Sequence, residues 1–136
     1  MKLEERTIGK WTVGLKPLLS RERDILCDCL YCLNFRKAVK DLNEQERRLF
    51  DQLGLDPARP DLLSDFPAES FPERYYLGHY ELAGQLLDGP PAASDHWTDE
   101  NTETIGRFRI GFSDGSKLRL EFETVLPWLL SEPPED

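Results

Sequence analysis

Arg107-Phe108-Arg109-Ile110-Gly111-Phe112-Ser113-Asp114-Gly115-Ser116-Lys117-Leu118-Arg119-Leu120-Glu121-Phe122-Glu123 is the stretch that decides the fold. Before the turn cluster, Phe108, Ile110 and Phe112 alternate with Arg107, Arg109 and Gly111. After it, Leu118, Leu120 and Phe122 alternate with Lys117, Arg119, Glu121 and Glu123. A period of two sends successive side chains to opposite sides of a strand, so this is a β-hairpin with one buried face. Asp-Gly usually makes a two-residue turn. Here that would set Phe112 opposite Lys117 and Ile110 opposite Arg119, which an apolar core face excludes. A three-residue loop keeps the faces matched in two ways. Ser113-Asp114-Gly115 puts Gly115 in the left-handed position and Ile110 opposite Leu118. Asp114-Gly115-Ser116 puts Ile110 opposite Leu120, sets Arg107 and Arg109 against Glu123 and Glu121, and avoids opposing Arg109 to Arg119. Both registers stay open.

Working outward, residues 92–103 are acidic with Trp97 in their middle. They bury almost nothing by composition and read as a mobile loop that adds little stability. A strand pattern spans about Arg74 to Leu87, with Tyr76, Gly78, Tyr80, Leu82 and Gly84 on one parity. Residues 55–74 read as a loop packed along the surface, because Pro57, Pro60, Pro67 and Pro72 break helices and central strands. Near the N-terminus Trp11, Val13 and Leu15 alternate with Lys10, Thr12, Gly14 and Lys16, giving a strand over 8–16.

Between these lie two helices, over about 28–42 and 44–53. Asp28 is placed to cap the first, and Cys32, Phe35, Val39 and Leu42 form its apolar stripe. Asn43 and Glu46 make a capping box for the second, Leu49, Phe50 and Leu53 face the core, and Gly54 ends it. The fold class is therefore α+β: a mainly antiparallel sheet of about four strands with both helices on one face. At 136 residues the chain fits one domain over 1–130, with 131–136 a disordered acidic tail.

Composition excludes several functions. The formal charge of −9 opposes phosphate backbones and anionic membranes, so neither nucleic acid nor membrane is an expected partner. No run approaches the ~18 apolar residues of a membrane span, and Met1–Arg6 lacks a signal-like apolar segment; the expected location is cytoplasmic. No phosphate-binding glycine loop, nucleophile elbow or Ser-His-Asp set is present, so the chain reads as non-enzymatic.

All three cysteines fall in Cys27-Asp28-Cys29-Leu30-Tyr31-Cys32. Close thiols in a reducing compartment leave buried thiols, a metal or redox chemistry. Zinc on Cys27, Cys29 and Cys32 would need a fourth ligand, from His79, His96, a carboxylate or water. Cys29-Leu30-Tyr31-Cys32 at a helix start has dithiol spacing, but Asp28 stabilises the protonated thiol. The apolar stripe through Cys32 favours an ordinary buried thiol, leaving zinc as the alternative and no cofactor as the expectation. His79 on a strand and His96 in a loop read as solvent-facing or hydrogen-bonded residues. Tyr75, Tyr76, Tyr80, Trp97 and Trp128 exceed what one sheet face must bury, so part of the aromatic surface points to a protein partner or self-association.

The stretch Cys-x-Cys-x-x-Cys-x-Asn-Phe resembles the opening signature of a family of small uncharacterised bacterial proteins. Leu53-Gly54-Leu55-Asp56-Pro57-Ala58-Arg59-Pro60, Tyr76-Leu77-Gly78-His79-Tyr80, Leu120-Glu121-Phe122 and Leu126-Pro127-Trp128 are similar to its later blocks, so the resemblance covers roughly 27–130. The chain departs from the pattern at Leu33, where an Arg often stands, and at His79 and Glu81, where Trp and His stand. The resemblance implies kinship and no catalytic residue.

Overall fold

The computed structural model describes residues 3–16, 29–67, 73–92, 97–115 and 117–132. It is an α+β fold with two helices and two antiparallel sheets. Strands β1 (Glu4–Ile8), β2 (Trp11–Leu15) and β5 (Gly84–Asp88) form a three-stranded sheet in the order β1-β2-β5. Strands β3 (Leu62–Pro67), β4 (Glu73–Leu82), β6 (Glu103–Ile105), β7 (Phe108–Asp114) and β8 (Leu118–Pro127) form a five-stranded sheet, ordered β3-β4-β8-β7-β6. Helices α1 (Leu30–Ala38) and α2 (Glu44–Leu53) pack their aromatic residues on one face of that larger sheet.

The deciding hairpin has three residues between its last paired positions, Asp114 and Leu118. Its register nonetheless differs from both sequence-derived alternatives. Ile110 faces Phe122, Phe112 faces Leu120 and Arg109 faces Glu123. The parity is the expected one, and Phe108, Ile110, Phe112, Leu118, Leu120 and Phe122 are all buried. β8 is held along ten residues by β4, from Glu73 opposite Pro127 to Leu82 opposite Leu118, and this long ladder fixes where β8 begins. Lys117 consequently falls outside the strand, and Asp114 closes the hairpin while its carboxylate accepts the Leu86 N–H at 3.0 Å.

Four other expectations are corrected. In place of one sheet of about four strands the described residues form two sheets of three and five, because three short edge strands, β1, β3 and β6, were hidden. β1, Glu-Glu-Arg-Thr-Ile, has no apolar alternation, yet it pairs with β2 through a turn at Gly9-Lys10. The segment expected to be loop contains β3, which pairs with β4 from Leu62–His79 to Pro67–Arg74. A proline is tolerated there because β3 is an edge strand. The strand expected over 74–87 divides at Ala83, where the chain leaves β4 and enters β5 in the other sheet. α1 is shorter than 28–42: Cys29 holds its N-cap position and Val39 its C-cap. Asp28 lies outside the described residues.

The second helix forms as its local chemistry dictates. Asn43 Oδ1 accepts the Glu46 N–H at 2.8 Å, and Glu46 Oε1 accepts the Asn43 N–H at 2.9 Å. Gly54 takes the left-handed cap at φ 66°. Phe35 packs against Tyr76 and Phe122, and Phe50 against Tyr80 and Phe108. Trp11 packs edge-on to Phe112 and carries the core across to the smaller sheet.

The acidic connection is also better anchored than its composition suggests. Ala92 and Thr102 are buried, and Ala92 lies over Gly111. Thr98–Asn101 closes on itself through the Thr98 N–H to Asn101 Oδ1 bond of 2.8 Å. Residues 93–96, with His96, lie outside the described residues, as do Cys27 and 133–136 of the expected tail.

Candidate functional site

Cys29 and Cys32 part company at the start of α1. Cys29 is exposed at the N-cap position, whereas Cys32 is buried one turn on. Cys32 lines a crevice of about 10 Å³ with Phe35, Arg36, Ala58, Arg59, Pro60 and Leu63, too small for an organic ligand. Among the described residues no three His, Cys, Asp or Glu side chains gather to hold a metal ion.

The residue that matters most on α1 is Asn34, which is fully buried. Its Nδ2 donates to the Tyr76 hydroxyl at 3.0 Å and to the Pro127 carbonyl at 3.1 Å. Its Oδ1 accepts the Leu129 N–H at 2.7 Å. The Tyr76 hydroxyl itself donates to the Tyr31 carbonyl at 3.1 Å. Burial lifts the Tyr76 pKa, which reaches about 12 despite the Asn34 bond. Tyr31 stacks edge-on against Trp128 and carries Arg74 over its ring, 4.5 Å from the centroid. Arg74 in turn bonds Asp65 at 2.8 Å. Four residues along the same face of β4 the Tyr80 hydroxyl donates to the Pro57 carbonyl at 2.6 Å. The Asn-Phe, Leu-Gly-Leu-Asp-Pro, Tyr-Leu-Gly-His-Tyr and Leu-Pro-Trp blocks therefore hold one another. Their residues make the fold, and the crevice beside Cys32 that Phe35, Ala58, Arg59 and Pro60 line is small.

A second buried polar joint sits under α2. Glu46 is wholly enclosed, and its Oε2 accepts the Arg107 N–H at 2.7 Å and the Arg107 guanidinium at 3.3 Å. Burial alone would raise the Glu46 pKa, but the Arg107 and Asn43 N–H groups and the guanidinium outweigh it and hold the carboxyl below its ordinary value. Sequence reading found the capping half of this role. Arg107 is too remote in the chain to be paired with it by local pattern.

No family model, curated protein or solved structure matches this chain. The site must be read from its own geometry.

The five-stranded sheet has a second face, opposite the helices. Along it run Leu62, Ser64 and Phe66 of β3, then His79, Leu77 and Tyr75 of β4, then Glu121, Glu123 and Val125 of β8. Leu62, Phe66 and Val125 are 47%, 48% and 37% exposed, although each is large and apolar. Phe66 lies 6.1 Å from Tyr75, centroid to centroid. The Tyr75 hydroxyl donates to Glu123, which also takes Arg109 at 3.3 Å. Burial, the Glu123 bond and its charge push Tyr75 up to about 12, so it stays protonated at neutral pH. Arg109 lies 5.6 Å from the Trp97 ring centroid. Farther along, Lys117 bridges to Glu81 at 3.3 Å. Burial and the Arg119 charge lower the His79 pKa against the opposing charges of Glu121, Glu81 and Asp61. The five aromatic residues singled out from sequence thus separate: Tyr76 and Tyr80 are core, while Tyr75, Trp97 and Trp128 keep partial exposure.

On the other side of the molecule a groove of about 190 Å³ lies between the β1–β2 turn, α2 and β6. Gln45, Arg48, Gln52, Thr7 and Thr104 make its polar walls, and Ile8, Leu49 and Ile105 its apolar ones. Arg48, the charged residue of the lining, is bonded to Glu44 at 3.1 Å.

Proposed function

We propose that this chain is a non-enzymatic, cytoplasmic interaction protein that docks a protein partner, another copy of itself included, on the helix-free face of its five-stranded sheet. The observation that carries the reading is the contiguous exposure of Leu62, Phe66 and Val125 around Tyr75 and Leu77. The core lies on the opposite face, so folding does not require large apolar side chains here. An apolar patch edged by polar residues, with aromatic groups at its centre, has the make-up of a protein interface.

Charge supports the same reading. Arg109, Lys117 and Arg119 stand among Glu81, Glu121 and Glu123 on this face, whereas the whole chain carries −9. A partner can approach here without meeting the acidic field of the remaining surface.

The test is a double substitution, Phe66→Lys with Val125→Lys. The variant should keep the wild-type circular dichroism and thermal midpoint, and should lose whatever binds the tagged wild-type chain in stoichiometric amount. Retention of the same partners by a folded variant would move the interaction to another surface.

The alternative proposal is a zinc protein that uses Cys27, Cys29 and Cys32, with thiol redox chemistry behind it. The exposed position of Cys29 at the start of α1 favours it. Native mass spectrometry of protein purified without added metal decides: one zinc per chain, lost on Cys29→Ser, would establish this alternative.

A further inference from the structure

We infer that the occupant of the β3 end of this face is a second copy of the chain, joined edge to edge through antiparallel pairing of β3 with β3. This deepens the interaction reading above and rests on it. β3 is the outermost strand of its sheet, and among the described residues it pairs with β4 alone. A strand edge of this kind presents a row of backbone donors and acceptors that another strand can take.

The side chains of β3 are self-complementary. Leu62 and Phe66 are the two most exposed large apolar residues described, and they lie four positions apart on one face. A two-fold axis perpendicular to the sheet keeps the outer faces of both copies on the same side. Such an axis through Ser64 pairs Leu62–Phe66 of each copy, with Ser64 opposite Ser64 of the second copy and Leu62 opposite its Phe66. Each half-exposed apolar group then gains an apolar cross-strand neighbour, the favourable pairing in antiparallel sheets.

The charges do not oppose the contact. The acidic side chain of β3, Asp65, is neutralised by Arg74 within its own chain, at 2.8 Å. Protection of the edge is confined to Pro67 at the end of the strand: Leu62–Phe66 contains no lysine, and its one inward-pointing charge, Asp65, is paired with Arg74. Pairing would join two five-stranded sheets and extend each row of Val125, Tyr75 and Phe66 across the seam onto Leu62 of the other copy.

The area limits the strength. A strand of six residues is about 20 Å long, so its edge cannot bury the roughly 800 Å² per partner of a standard interface. The dimer is therefore weak and concentration-dependent. An isologous contact of this kind closes at two copies.

The test combines sedimentation velocity with a thiol probe. Wild type should shift from monomer to dimer as concentration rises from about 10 μM to about 1 mM, and Phe66→Lys or, separately, Leu62→Lys should remain monomeric. Ser64→Cys, oxidised with oxidised glutathione, should give a covalent dimer joined at position 64 by peptide mapping, since directly opposed Cα atoms lie within disulfide reach. A wild type that stays monomeric throughout would overturn the inference. So would a dimer that survives both lysine variants or is never linked through position 64. If the chain is monomeric yet the face still holds a different protein, the self-pairing fails and the interaction reading stands.

Discussion

Asn34 and Glu46 show how much of this molecule is decided by single buried polar groups. Asn34 bonds a carbonyl, an N–H and a hydroxyl from two distant segments, so its removal takes one partner from each of the three together. Asn34→Ala is expected to cost about 2–4 kcal/mol, read from urea unfolding, with the C-terminal residues 127–129 losing amide protection first. A cost within a few tenths of a kcal/mol would show that water replaces the side chain. Glu46 carries a pH signature. Its folded pKa lies below the ordinary 4.5, so its contribution is complete above that value and is lost as pH falls through the folded pKa. Glu46→Gln should be less stable than wild type at neutral pH, and its stability should decline less steeply below pH 4.5. Parallel acid limbs for the two proteins would contradict this.

Elements were legible in the sequence where their signals are local. α2 announced itself through Asn43, Glu46 and Gly54, because capping acts within one turn. β7 and β8 announced their faces by alternation, but the register depended on β4, a partner some forty residues away. β1 and β3 were hidden because edge strands need neither a clean apolar period nor freedom from proline. Asn34 was visible only as a letter in a motif, since its partners Tyr76 and Leu129 are set by tertiary packing. Two glycines separate local from long-range control. An added Cβ at Gly54 meets nothing within 4 Å, so Gly54→Ala should cost about 1 kcal/mol through its positive φ alone. At Gly78 the same atom would sit 2.0 Å from the Leu62 carbonyl oxygen, so Gly78→Ala should cost clearly more and loosen β3 from β4. Similar midpoints for the two variants would show that β3 yields at little cost. The thiols belong to the same scale: Cys32→Ser should cost about 1–3 kcal/mol and Cys29→Ser almost nothing, as measured by denaturant melts. Equal losses would speak for a shared metal.

For the whole molecule, one face of the larger sheet carries the helices and the core, and the other carries apolar groups that the fold leaves half exposed. The polar joints around Asn34 hold the first face together, and the second is the face proposed above to bind. Among the described residues no helix is long and apolar enough to cross a membrane. The most direct measurement is site-specific photo-crosslinking in the living cell, with the photoreactive residue placed at Val125 and, as control, at the exposed helical position Arg48. The account expects discrete adducts at position 125, with a mass of two chains or of one chain plus another protein, and none at position 48. Equal labelling at both positions, or no adduct at position 125, would contradict it.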